Sequence, residues 1–285
     1  MKNPATLPPL ADDLLVVLIQ PRKGWLNFDL AAVYRYRELL YFLIWRDVLI
    51  RYKQTAIGVA WVVLQPLLTM VVFTAIFGRL AKLSSDGLPY PVFSFAALLP
   101  WNYFSQAISR SGVSLVSNAN LISKIYFPRL IVPISGALGP MVDFAVSFVI
   151  LLAMMAWYGV APTWWMLALP FFTLLAVVTS VAVSLFLSAL NVKYRDVGQA
   201  IPFLVQFWMY ASPVVYSVTI IPKKWRILYS LNPMVGVIEG FRWALGGKAR
   251  PDFATMAVGV AVALLLLLGG LIYFKRTERF FADII

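Results

Sequence analysis

Between Asn118 and Pro133 the chain reads Asn-Ala-Asn-Leu-Ile-Ser-Lys-Ile-Tyr-Phe-Pro-Arg-Leu-Ile-Val-Pro, with the bases Lys124 and Arg129 and no acid. This pattern predicts a short amphipathic helix from about Asn120 to Tyr126, stopped by Pro128, that projects Ile122, Ile125 and Tyr126. Apolar and aromatic knobs ringed by bases break no bonds; they suit docking into a groove on a soluble partner. Bond-making groups are scarce elsewhere. The 285 residues include no cysteine and no histidine, which removes thiol nucleophiles, Cys/His metal sites and histidine general bases. A glycine-rich phosphate loop ending in Gly-Lys-Ser/Thr is also missing: Gly246-Gly247-Lys248-Ala249 lacks the hydroxyl that would hold magnesium. Any nucleotide hydrolysis must come from another chain. Asp143 is the clear acid inside an apolar run, and it fits either an ion pathway or a carboxylate paired within a helix bundle.

The elements that must carry these residues are set by composition. Hydrophobic residues make up 61% of the chain and charged residues 13%, and the mean hydropathy is +0.83, far from soluble composition. Apolar runs at 57–80, 90–108, 130–160, 164–190, 198–221 and 254–274 approach or exceed the length of a spanning helix. They are apolar on consecutive positions, not alternating ones as β-barrel strands would be, which favours helices. The expected fold is an all-α polytopic membrane protein with six transmembrane helices. The N-terminus, where Lys2, Asp12 and Asp13 precede a short apolar run ended by Gln20-Pro21, lacks the layout of a signal peptide. The first span is expected to insert as an internal signal.

The net charge of +12 reads as loop charge holding spans against anionic leaflets, not as a nucleic-acid surface. Lys2, Arg22, Lys23, Arg35, Arg37, Arg46, Arg51 and Lys53 precede the first span, so this end is expected to be cytoplasmic. Lys275, Arg276 and Arg279 at the other end agree, as do Arg110, Lys124 and Arg129 after span two and Lys193 and Arg195 after span four. The stretch 222–252 resists, because it holds Lys223, Lys224, Arg226, Arg242, Lys248 and Arg250 on what parity makes the outside. Its two apolar pieces, 225–231 and 234–245, are split at Asn232-Pro233 and closed by Gly246-Gly247. Each is about half a span long, which predicts a re-entrant helical hairpin or, alternatively, an interfacial helix. Residues 29–53 read as a helix lying flat at the inner interface, with Asp29 as N-cap, Asp47 four residues before Arg51, and Arg35, Arg46 and Lys53 on one stripe.

These features, with Arg51-Tyr52-Lys53-Gln54-Thr55-Ala56-Ile57-Gly58-Val59-Ala60-Trp61, Leu231-Asn232-Pro233-Met234 and Glu239-Gly240-Phe241-Arg242, resemble the ABC-2 permeases that export lipid-linked polysaccharides of the O-antigen, teichoic-acid and capsule type. The resemblance runs from about Asp29 to the C-terminus. It implies a homodimer around a continuous channel in the bacterial cytoplasmic membrane, both termini cytoplasmic, above two separate ABC ATPase subunits. ATP and magnesium would sit on those subunits, with no cofactor and no catalysis in this chain. It further implies an interface helix at 29–54 and a six-span transmembrane domain at 55–285. Within that domain would lie a coupling region at 118–130 and an external gate hairpin at 222–248. Leu121, Ile122, Lys124, Ile125, Tyr126, Phe127 and Arg129 would meet the ATPase. Trp225, Tyr229, Asn232, Pro233, Glu239, Phe241 and Arg242 would form the gate. The tail 1–28 receives no role.

A polyprenyl diphosphate head is anionic, so cations at inner-leaflet depth should receive it; Arg46, Arg51, Lys53 and Arg129 are the candidates, and each also fits a positive-inside anchor. Aromatic residues are 15% of the chain. Trp61, Phe73, Phe77, Trp101, Tyr103, Phe104, Phe207, Trp208, Tyr210 and Tyr216 are candidates for a glycan-lining surface or for the interfacial belt. Three other readings stand beside export of a glycan: an ABC-2 exporter of a drug or lipid, a membrane-embedded glycosyl- or acyltransferase, and an ion-coupled carrier. The missing histidine and the lack of clustered acids count against the transferase.

Overall fold

The computed structural model describes residues 30–53, 58–247 and 252–281, and among them every regular element is a helix. The tail 1–28, the Asp29 cap, Gln54 to Ile57, Lys248 and Arg250 lie outside the described residues. Helix α1 (Leu30–Arg35) and α2 (Arg37–Lys53) occupy the expected interface segment. They are separated by a turn at Tyr36 that hydrogen bonds still bridge, from Tyr36 N to Ala32 O and from Leu40 N to Tyr36 O.

Helix α3 (Gly58–Phe73) runs directly into a π-helical segment, Thr74–Leu80. Helix α4 (Tyr90–Ser117) has 28 residues, roughly 42 Å at the α-helical rise. It extends well past the expected end of span two, so Arg110 lies inside a helix and not in the following loop. Local chemistry permits this. The hydroxyls of Ser114 and Ser117 donate to the carbonyls of Ser111 and Val113, so polar residues near the helix end satisfy themselves on their own backbone.

Helix α5 (Ala119–Lys124) is followed by α6 (Ile131–Leu138) and α7 (Met141–Trp157), which divide the third apolar run at Gly139-Pro140. A 3-10 turn, Trp164–Ala168, leads into α8 (Leu169–Lys193), and α9 (Asp196–Tyr210) follows. The hairpin contains α10 (Lys223–Tyr229) and α11 (Pro233–Ala244), and α12 (Phe253–Glu278) completes the described chain.

Four stretches are long and apolar enough to cross a membrane: Ala60–Leu80, Ile131–Trp157, Trp164–Lys193 and Phe253–Glu278. The protein is a polytopic helical membrane protein. Helix α4 has the length but carries Asn102, Gln106 and Arg110. The fifth expected run does not form one helix. Helix α9 has 15 residues, roughly 22 Å against a hydrocarbon core of about 30 Å, and ends before Pro213.

The core is centred on α4 and α8, which pack on each other, with α12 lying along α8. Close approach of α12 to α8 depends on Gly270, where an added Cβ would lie 2.8 Å from the Ala182 carbonyl oxygen. Gly240 does the same for α11, because a Cβ there would overlap the Phe172 ring of α8. A second buried cluster joins Leu43 of α2, Leu115 of α4, Ile122, Phe127, Leu185 of α8, Phe274 of α12 and Phe281.

Candidate functional site

The stretch expected to dock a partner begins at α5, shorter than predicted. The helix ends at Lys124, and Ile125 is extended with φ −128° and ψ 134°. Ile122 is only 7% exposed and points into the second cluster with Phe127, not outward as expected. The helical phase places Ile122 over Leu43 and Leu115, where burial of its side chain is worth about 2 kcal/mol. Ile125 and Tyr126 are 56% and 74% exposed. With exposed Lys124 they form the projecting surface, while Leu121 is half-buried. Arg129 donates to the backbone carbonyl of Glu278 near the end of α12, a favourable place for a cation because helix-terminal carbonyls carry partial negative charge.

The cations expected to meet a phosphate are largely engaged within the fold. Arg46 donates to Asp47 at 2.8 Å and to Asn118 Oδ1 at 3.1 Å. Arg51 forms an ion pair with Asp143, and Tyr52 donates its hydroxyl to the same carboxylate. Lys53 is exposed. The expected spacing pair of Asp47 with Arg51 is therefore replaced. Asp47 takes its neighbour Arg46, and Arg51 reaches a more buried carboxylate on α7. Of the two roles open to Asp143, the geometry shows pairing within the bundle. Burial, together with the hydrogen bond to Asp143, pushes the Tyr52 phenol up to about 12, so it stays a donor at neutral pH. Gln106 of α4 sits 3.5 Å from Arg51 Nη1. One turn further along α4, half-buried Arg110 lies within Coulombic reach of Arg51, Asp143, Asp47 and Tyr52. Sequence reasoning counted Arg110 as a loop charge and so missed it; its signal was a helix-compatible stretch running unbroken from 109 to 117.

The hairpin splits at Asn232-Pro233 as expected. Asn232 caps α11 by accepting from Met234 N, accepts from the Trp208 indole at 3.0 Å, and donates to Ser212 Oγ and Ala211 O. Pro233 takes the first helical position, where its missing N–H costs nothing. Gly246, at φ +105°, closes the helix in the left-handed region. Arg242 is 5% exposed and donates to the carbonyls of Pro213, Val214, Tyr216 and Phe93, with its guanidinium 3.5 Å from the Phe93 ring centre. The Tyr90 hydroxyl takes the Val215 carbonyl. These donors satisfy four successive carbonyls that leave the helical ladder after α9, so irregular backbone can be buried here. Arg242 is thus a structural group, which removes it from the loop-charge anomaly of 222–252.

Tyr229 and Tyr216 share a hydrogen bond at 2.8 Å. Trp225 is exposed and Phe241 buried. Glu239 faces a small concavity with Ser230, Asp252 and Thr255. Helix α11 is outside the four spanning stretches, and burial pushes the Glu239 carboxyl up from 4.5 to about 7, opposed by nearby Arg242.

The ten aromatic candidates do not share one surface. Trp101, Tyr103 and Phe104 are at most 2% exposed and belong to the core of the chain, a correction that follows from the α4 face they occupy. Trp208 packs edge-on against Phe104, and Phe73 with Phe77 forms a half-buried T-shaped pair. Tyr216 is half-buried. Trp61, Phe207 and Tyr210 are more than half exposed, at 54%, 65% and 63%.

Comparison with known proteins extends this geometry. The sequence model of the family described as ABC-2 type transporter matches residues 38–245. The chain is 28% identical over 253 residues to the O-antigen export system permease protein RfbA of Myxococcus xanthus, covering 88% of this chain and 96% of that protein. It is 26% identical to a Klebsiella pneumoniae protein of the same name, covering 87% and 95%. It is 22% identical to the polysialic acid transport protein KpsM of Escherichia coli, covering 82% and 91%.

Proposed function

This chain belongs to the ABC-2 type transporter family, and from that premise we propose that it is the permease subunit of an ATP-driven exporter. Its cargo is a polysaccharide of the O-antigen kind, carried on a polyprenyl diphosphate lipid across the bacterial cytoplasmic membrane. The observation that carries this reading is the near full-length match to a permease named for O-antigen export, 96% of that protein.

The subunit works as one half of a homodimer on two separate ATPase subunits, with six crossings and both termini cytoplasmic. Helix α4, and α9 with the turn after it, supply the crossings beyond the four apolar stretches. Support for a second copy comes from α3 and α9, which leave Trp61, Leu64, Leu68, Phe203 and Phe207 exposed. Exposed Lys124, Ile125 and Tyr126 support the ATPase contact. The hairpin of α10 and α11 forms the external gate.

Deleting the gene should abolish surface glycan, and the protein reconstituted with its ATPase should hydrolyse ATP faster when lipid-linked glycan is added. Intact surface glycan and an unresponsive ATPase would refute the reading. Loss of drug resistance with surface glycan intact would turn it to export of a small hydrophobic molecule.

A further inference from the structure

Arg110 lies seven residues before the end of α4 at Ser117, roughly 10 Å along the helix. Arg110 is half-buried and within Coulombic reach of Arg51, Tyr52 and Asp143, yet among the described residues its guanidinium makes no hydrogen bond and no ion pair. The local charges do not balance. Arg46 and Asp47 neutralise each other, and Asp143 is engaged by Arg51, so one positive charge remains where the bundle meets the interface helix. A half-buried charge is costly unless something neutralises it. Arg51 of α2 reaches Gln106 of α4, one turn before Arg110, so two guanidiniums stand in one neighbourhood and suit a tetrahedral oxyanion, which offers several acceptors to a planar fork of donors.

We propose that Arg110, with Arg51, forms a binding site for the phosphate of a lipid head group, in which Asp143 is the resident counter-anion that holds Arg51 while the site is empty. The inference rests on the export reading only for its expectation that the natural head is a lipid diphosphate. An arriving phosphate supplies the missing negative charge at Arg110 and competes with Asp143 for Arg51. Because Asp143 also holds Tyr52, that competition loosens the fastening between α2 and α7 when cargo is present. Arg110 is therefore the recognising residue, whereas Arg46 and Arg129 are committed to contacts within the fold.

The test uses the full chain in nanodiscs of neutral phosphatidylcholine, with farnesyl diphosphate as the probe and farnesol as the control without phosphate. The wild type should prefer farnesyl diphosphate. Arg110→Gln should weaken binding of farnesyl diphosphate by about tenfold or more, as expected for losing a charged hydrogen bond, without changing binding of farnesol. Arg110→Lys should fall between the two. Displacement by phosphatidylglycerol would identify a bilayer phospholipid as the occupant of the same anion site; failure to displace would identify the cargo head. Equal binding by wild type and an Arg110→Gln protein of unchanged thermal stability would overturn the proposal. So would a wild type that does not distinguish farnesyl diphosphate from farnesol, a result that stands even if the glutamine variant does not fold. Loss of surface glycan on deletion alongside either result would leave the export reading intact and sink this site alone.

Discussion

Arg51 near the end of α2 and Asp143 in the first turn of α7 form an ion pair across 92 residues of sequence. Tyr52 donates to the second oxygen of the same carboxylate. Two adjacent residues of the interface helix therefore grip one side chain of the bundle, and any displacement of α2 relative to α7 must break or carry that grip.

Asp143→Asn leaves Arg51 with a neutral partner in a site where the two side chains are 16% and 7% exposed. Stability should fall by about 3 kcal/mol, the usual cost of breaking a buried pair from one side. Tyr52→Phe removes one hydrogen bond and should cost about 1 kcal/mol. Thermal unfolding in detergent ranks the two; a tyrosine variant less stable than the asparagine variant would contradict the arrangement.

At the docking stretch, exposure separates binding from folding. Tyr126→Ala should leave unfolding unchanged while co-purification of the ATPase is lost, because the ring is 74% exposed. Lys124→Glu should act in the same way through charge reversal. Ile122→Ala should instead destabilise the fold by about 2 kcal/mol or more, since it opens a cavity in the cluster shared with Leu43 and Phe127. Co-purification at the wild-type level by Tyr126→Ala and Lys124→Glu would remove the docking assignment.

Arg242→Met keeps an unbranched side chain but removes every donor to Phe93, Pro213, Val214 and Tyr216. Amide exchange should accelerate in 211–217 and in α11, with little change in α12. Arg242→Lys should rescue only part of this, because an ammonium cannot span the same carbonyls as a planar fork. Uniform acceleration throughout the chain would show that Arg242 has no local role.

Glu239 sets a pH dependence for the hairpin. Its folded value of about 7 is above its ordinary 4.5, so the folded state binds the extra proton. Stability of α11 is full below about pH 4.5 and declines as pH rises through 7. Glu239→Gln should flatten that decline. Amide exchange of α11 compared at pH 5 and pH 8 reads the difference, and an unaltered pH response in the glutamine variant would assign it to another group.

Much of this architecture is legible in local chemistry. Consecutive apolar residues demand a bilayer, since no soluble fold buries so much of so small a chain. The missing cysteine, histidine and phosphate loop take thiol, imidazole and phosphate-loop chemistry out of consideration before any fold is known. The hairpin break is written in Asn232-Pro233, because asparagine caps a helix and proline begins one, and Gly246 ends it by adopting a positive φ. Each of these outcomes depends on residues within a few positions of one another.

The partners come from packing. By spacing alone Asp47 was available to Arg51, but a pair one helical turn apart on the same helix gains a few tenths of a kcal/mol, whereas Asp143 offers a buried carboxylate that needs a cation. Ile122 and Tyr126 look alike as apolar knobs in a short helix; only the position of α5 over Leu43 and Leu115 turns one inward and leaves the other out. Arg242 reads as a loop charge until four carbonyls from a broken helix and α4 converge on it. Local composition and punctuation are enough to show that the chain spans a membrane, and where the hairpin bends. Which charges the fold neutralises depends on residues brought together from distant segments, since desolvation, not spacing, sets the strength of a pair.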